Sequence, residues 1–395
     1  MKRRDFLRST GLVTTSLMLP RFLHGMGGAK PANARKLVIV QLTGGNDGLN
    51  TIIPFRSDTY YSARPKLAIA RELALPLTDE LGLNPGMAKL RPLYEAGHLA
   101  IINGVGYPQP DRSHFRSMDI WHTASGSEQF LETGWLGRYM DARNADPHDV
   151  VEFGGTLSLA NKGDKVKAIA MNDPARFYQA TREPYFAKLA AEQHALEHQQ
   201  LGYLYRTMTE TYRSAGYIQE HLRSRNTATT FPKGDLSKQL RYVSGFIQSG
   251  METSVYYTST AGFDTHMNQV GKHQKLLAEV SEAIAAFMDD IKAAGRAGEV
   301  LVMVFSEFGR RVKENASNGT DHGTAGPMLL IGEGVKKAGV FNALPSLEKL
   351  DENGDLAFSV DFRRVYATVL DRWLGVELNG VLGPGFEPLT VLGQE

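Results

Sequence analysis

The chain has 395 residues, with 44 Lys/Arg against 43 Asp/Glu and 42% apolar residues, enough to bury a large core. Its first 34 residues hold six of the basic residues and one acid, so the remaining 361 carry a formal charge of −4 without a basic block. That balance argues against nucleic acid and anionic membrane surfaces as partners. Cysteine is absent, which excludes disulfides and thiolate metal sites; any metal would rest on carboxylates, histidines, carbonyls or water.

The N-terminus reads as an export signal. Paired arginines in "KRRDFLRS" (residues 2–9) precede a moderately apolar stretch, "GLVTTSLMLP", and the small residues Ala32-Asn33-Ala34 suit cleavage. The arginine pair points to the twin-arginine export machinery, so residues 1–34 are expected to be a signal peptide and the mature protein periplasmic or secreted. The apolar stretch is too short and too polar to span a bilayer stably.

From residue 36 onward, apolar runs alternate with helical patterns. The runs are "KLVIVQL" (36–42), "HLAIING" (98–104), "VKAIAM" (166–171), "TSVYYTST" (253–260), "EVLVMVF" (299–305) and "GPMLLIG" (326–332). Continuous apolar runs are expected of strands covered on both faces, as in a parallel sheet. Helical spacing marks residues 235–248, 273–294 and 361–374, and residues 183–226 read as a more polar helical excursion within one domain, 35–395. Strand and helix in repeated succession predict an α/β fold: a three-layer α/β/α sandwich around a mostly parallel, doubly wound sheet.

In such sheets ligands gather beyond the carboxyl ends of the strands. "TGGNDGLNT" after the first run places Asp47 there, "AGFDTHMNQ" places Asp264 and His266, and Glu307 ends the strand 299–305, with Asp321 and His322 just before the next run. Oxygen and imidazole groups from separate segments are the material of a divalent metal site. Each also has a plainer reading: Asp47-Gly48 as a turn, Asp264 as a helix cap, His322 as a satisfied loop histidine. Glu307 is harder to explain away, because a shielded carboxylate needs a partner. In "GYPQPDRSHFRSMDIWHT", Ser113 opens a helix; it reads either as an N-cap or, beside a metal, as an activated nucleophile.

Together "VQLTGGNDGLNT", "RSHFRSMDIW", "TGWLGRYMD", "FDTHMNQ", "VFSEFGRR" and "DHGTAGPMLLIG" resemble the DUF1501 family, a bacterial branch of the alkaline phosphatase/sulfatase superfamily. The resemblance covers nearly all of the chain after residue 34 and implies an alkaline phosphatase-like fold. By it, Asp47, Asp264, His266, Glu307 and His322 are metal ligands, with Asp321 in support, and Ser113 or His114 is the working group. The superfamily's "S-D-H-G" reads Ser306-Glu307-Phe308-Gly309 here, so one imidazole is replaced by a phenyl ring. The oxygen-rich set implies Ca²⁺ or Mg²⁺, with Zn²⁺ as the alternative. Arg310 or Arg311 is placed to meet a small anionic ester, or else the two form a solvated pair over a helix end. Two functions follow: an exported metal-dependent hydrolase of phosphate or sulfate esters, or a non-catalytic or partner-dependent metal- or ligand-binding protein of the same fold.

Overall fold

The computed structural model describes residues 35–393, apart from 185, 187, 189–198 and 224–228. The signal-peptide reading of residues 1–34 lies outside the described residues, as does part of the excursion 183–226. The main-sheet strands are β1 (Lys36–Thr43), β2 (Leu99–Gly106), β3 (Val150–Phe153), β4 (Ile169–Met171), β5 (Val255–Ala261), β6 (Val300–Phe305), β7 (Gly326–Ile331), β8 (Gly339–Val340) and β9 (Val360–Asp361). The helices used below are α1 (His114–Thr123), α2 (Trp135–Arg143), α3 (Pro174–Thr181), α4 (Gln199–Arg223), α5 (Asp235–Gln248), α6 (Gln269–Ala293) and α7 (Phe362–Thr368).

The sheet runs β8-β2-β7-β6-β1-β5-β3-β4, with β9 pairing with β2. Among the described residues its pairings are parallel except those of β7, which is antiparallel to both β2 and β6. The reversal has a consequence for function. A strand that runs backwards starts where its neighbours end, so the loop entering β7 lies at the same edge as the exits of β1, β5 and β6.

Side-chain alternation along the strands feeds two cores. Leu37, Ile39, Leu301, Met303 and Phe305 face α1, α2 and α7, through Trp121, Trp135, Tyr139 and Tyr366. Val38, Val40, Val300, Val302 and Val304 face α5 and α6, through Leu240, Phe246, Ile284 and Phe287. The result is the three-layer sandwich expected from the apolar runs. Helix α4 lends Ile218 to the second core. Helix α7 begins where Asp361 caps Arg363 N and continues into a single π turn, Val369–Trp373. No helix among the described residues is long and apolar enough to cross a membrane.

One packing contact positions the site directly. Trp121 of α1 stacks between Phe305, at the end of β6, and Phe362, with ring centroids 5.1 and 4.3 Å away. The last turn of α1 is thereby fixed over the end of β6, and nearer its start Ser117 Oγ donates to the Glu307 carbonyl at 2.6 Å. Losing a buried indole of this kind costs about 3–5 kcal/mol.

Candidate metal centre

Strand β1 exits into Thr43-Gly44-Gly45, and both glycines are required. Gly44 has φ +120°, and a Cβ there would lie 2.4 Å from Asp264 N; Gly45 has φ +72°, and its Cβ would strike the Phe308 ring. The bare backbone lets the exits of β1, β5 and β6 close on one another. Gly44 N donates to Glu307 Oε1 at 2.8 Å.

Glu307 is fully buried and satisfied by the protein. Oε1 also accepts from His114 Nδ1 at 2.9 Å, and Oε2 lies 3.0 Å from Ser306 Oγ, whose one proton also faces the Leu42 carbonyl at 2.6 Å. Because the acceptor is a carboxylate, the proton of His114 sits on Nδ1 and the lone pair on Nε2. The Glu307 hydrogen bond holds the His114 pKa above its ordinary value, against the effect of burial. His114 Nε2 is buried without a hydrogen-bond partner and lies 3.6 Å from Asp264 Oδ1.

The other two imidazoles are fixed in the same way. His322 Nδ1 donates to the carbonyl of Arg112 at 2.7 Å. His266 Nδ1 donates to Asp321 Oδ1 at 3.2 Å, and Asn315 Nδ2 donates to the same oxygen at 3.1 Å. Both rings therefore turn Nε2 inward. His266 Nε2 stands 3.0 Å from Asp264 Oδ1 and 3.0 Å from His322 Nε2, which is 3.2 Å from Asp264 Oδ1. Three imidazole nitrogens and a carboxylate oxygen, which also accepts from Arg310 Nη2 at 2.6 Å, thus converge. Their spacing resembles the edge of a zinc tetrahedron, roughly 3.3 Å for bonds of about 2.0 Å. The donor atoms of His114, Asp264 and His322 all lie within 4.8 Å of one another, and His266 stands against Asp264 and His322.

Asp264 stays ionised in this setting. Burial pushes its carboxyl up, but the Arg310 hydrogen bond and charge, helped by His322 and His266, bring it down to about 2. Asp321 is likewise held below its ordinary value, first by the Asn315 hydrogen bond. Burial lowers the His322 pKa, favouring the neutral ring. Phe308 packs its ring against His114 and His322, with centroids at 4.8 and 4.9 Å. The phenyl that departs from the superfamily pattern is a wall behind two imidazoles.

Three of the expected site residues are placed apart from the converging nitrogens. Asp47 is fully buried and bound elsewhere: Arg64 Nη1 lies 2.7 Å from Oδ2, and Gln269 Nε2 donates to the same oxygen. Burial pushes this carboxyl up, but Arg64 outweighs it and holds the acid below its ordinary value. Glu307 faces a backbone amide, a hydroxyl and the far side of a histidine, so it orients His114 and does not join the converging atoms. Arg310 is buried, and its guanidinium donates to the carbonyls of Gly44, Gly45, Phe263 and Thr320 and to Asp264.

Ser113 stands at the N-cap position of α1, exposed, and its side chain makes no capping hydrogen bond. Sequence reasoning missed Arg112 and Asn315, which hold His322 and His266 in place. Arg112 acts through its carbonyl, for which residue identity gives no signal. A surface cavity of about 890 Å³ lies between residues 54–59 and 340–348 and shares no lining residue with the cluster.

A family model described as "Protein of unknown function (DUF1501)" matches residues 103–381. No curated protein matches in sequence. Similar solved structures include the lipoteichoic acid synthase LtaP from Listeria monocytogenes: 9% identity, TM-score 0.40, 89% of this chain and 74% of that one. The PsFucS1 sulfatase from Pseudoalteromonas sp. is 10% identical, with TM-score 0.41, 91% of this chain and 72% of that one. The phosphonate monoester hydrolase SpPMH from Silicibacter pomeroyi is 9% identical, with TM-score 0.37, 89% of this chain and 77% of that one.

Proposed function

The chain belongs to the DUF1501 family, and from the chemistry of its site we propose an exported, metal-dependent hydrolase of phosphate or sulfate esters. The observation that carries this reading is the meeting of His266 Nε2, His322 Nε2 and His114 Nε2 at 3.0, 3.2 and 3.6 Å from Asp264 Oδ1, an oxygen that also accepts from Arg310 Nη2 at 2.6 Å. The orphaned, buried Nε2 of His114 fits a cation ligand. A nitrogen-rich set suits a borderline ion such as Zn²⁺ better than the Ca²⁺ or Mg²⁺ expected when Asp47 and Glu307 were counted as ligands.

A divalent cation bound there supplies a Lewis acid that polarises an ester oxygen and lowers the pKa of a nearby hydroxyl. The chain's own residues do the rest. Glu307, Asp321 and the Arg112 carbonyl hold the three imidazoles in the metal-binding tautomer, as outer-shell partners commonly do. Ser113 offers an uncommitted hydroxyl beside His114, at the start of a ten-residue helix whose free N–H groups favour anionic oxygens. Ser113 is the proposed nucleophile, with His114 kept as a ligand.

The test is a panel of aryl phosphates and sulfates given to the mature protein after loading with Zn²⁺, Mn²⁺, Mg²⁺ or Ca²⁺. Turnover that needs the metal and falls by about 10²-fold or more in Ser113→Ala supports the reading. Full metal binding without turnover on any ester would favour the second reading, a non-catalytic metal-binding protein, for which Phe308 in place of an imidazole is the supporting observation. Export is proposed on the arginine pair; Arg3→Lys with Arg4→Lys should leave the protein in the cytoplasm, and normal export of that double variant would remove the twin-arginine route.

A further inference from the structure

The buried arginines of this protein spend their donors on the protein itself. Arg310 is used up on four carbonyls and Asp264; Arg64 is shared among Asp47, Asn50 and the carbonyls of Arg311 and Val312. Arg112 and Arg311 behave differently. Both reach the single carboxylate of Asp355, Arg112 Nε at 3.2 Å from Oδ2 and Arg311 Nε at 3.4 Å from Oδ1. The Asp355 side chain is 0% exposed, whereas those of Arg112 and Arg311 are 30% and 39% exposed. Neither carboxylate oxygen has a hydrogen-bond partner, so the contacts are long ion pairs. The terminal nitrogens of both guanidinium groups donate to no other described side chain or carbonyl.

A surface salt bridge usually contributes little. This one has a buried acid, which is costly to desolvate, and it is served by two cations where one would balance it. Asp351 and Asp321 also face this pair, but the part-exposed guanidinium groups keep forks of N–H donors, the geometry that suits a tetrahedral oxyanion. The place is tied to the cluster through the backbone. Arg112 gives its carbonyl to His322, and Arg311 N donates to the carbonyl of Asp321 at 3.1 Å. Arg112 also directly precedes Ser113.

We propose that Arg112 and Arg311, set by Asp355, bind an oxyanion of the substrate beside the cation cluster. The substrate identity rests on the hydrolase reading; the binding of a phosphate or sulfate group by these two residues does not. Of the two arginines that the sequence offered for an anionic ester, Arg310 and Arg311, this leaves Arg311, joined by Arg112.

Calorimetric titration of Zn²⁺-loaded mature protein with orthophosphate, and separately with sulfate, tests this at low ionic strength. Binding of one or both anions is expected, with Kd raised about tenfold in each of Arg112→Gln and Arg311→Gln, further in the double variant, and Zn²⁺ affinity unchanged. The two titrations separate a phosphate site from a sulfate site. Should a variant lose its circular-dichroism signature, Arg112→Lys with Arg311→Lys serves instead; it keeps the charge, removes the forks, and is still expected to bind more weakly than wild type. Wild-type affinity in the variants, or binding of neither anion by the wild type, overturns the proposal. Arginine-dependent binding without turnover of any ester removes hydrolysis and leaves this inference standing. Turnover accompanied by unchanged anion binding in the variants does the reverse.

Discussion

Asp47 and Asp264 leave adjacent parallel strands, β1 and β5, at the same edge of the sheet, and each meets an arginine. Asp47 is sealed: its side chain and that of Arg64 are both 0% exposed. Asp264 is 47% exposed, and the oxygen that takes Arg310 at 2.6 Å also faces three imidazole nitrogens. A strand-end acid is therefore not a metal ligand by position alone. What separates the two is the surrounding chemistry. Arg64 and Gln269 hold one oxygen of Asp47 and leave Oδ1 buried without a partner, whereas the Asp264 oxygen that takes Arg310 is also faced by three imidazole nitrogens.

The sealed pair gives the largest expected effect. Arg64→Met leaves Asp47 buried with only Gln269 as donor, and should destabilise the fold by about 3–5 kcal/mol in urea unfolding, with Zn²⁺ affinity of the folded protein unchanged. A loss in metal affinity comparable to that of an Asp264 variant would erase the distinction between the two acids.

The sealed region should also titrate through folding. Burial lowers the pKa of His273, which bonds Asn46 beside Asp47, to about 4, and does the same to His122 on the buried side of α1. Both folded values lie below the ordinary 6.5, so the unfolded chain binds more protons between pH 6.5 and 4. Stability is then complete above pH 6.5 and falls as pH drops towards 4. From pH 7 to 5 the loss should be about 2 kcal/mol per histidine. His273→Gln should lose less than wild type over that range by about that amount; parallel losses would show that His273 is not the titrating group.

The open region should give the smallest change. Glu307→Gln keeps the bond to His114 but removes its charge, and should weaken Zn²⁺ binding about 10–100-fold, the range for an outer-shell partner. Secondary structure should not change. A complete loss of metal would make Glu307 a ligand, as the sequence alone implied.

The contrast also shows what the sequence could carry. Apolar runs marked β1, β2, β4, β5, β6 and β7, because burial on both faces writes itself into residue type. They missed β3, where Glu152 interrupts "VVEF"; that acid is buried against Asn161 and Ser158. The antiparallel sense of β7 was not legible either, since an apolar run has no direction. At the site, His266, Asp264, Asp321 and His322 were readable as polar residues at strand ends. The partner of Asp47 was not: Arg64 lies 17 residues away in a loop, with no periodicity to announce it. Nor was the allocation of Arg310 and Arg311, whose neighbouring positions conceal opposite fates.

The central claim, that Asp264 and three imidazoles hold a cation and Asp47 does not, is tested most directly by titrating Zn²⁺ into metal-stripped wild type and Asp264→Asn. One equivalent is expected to bind the wild type, with affinity at least 100-fold lower in the variant, more than the outer-shell change at Glu307 should cost. Equal affinity in the two proteins, or no stoichiometric binding by the wild type, would contradict it.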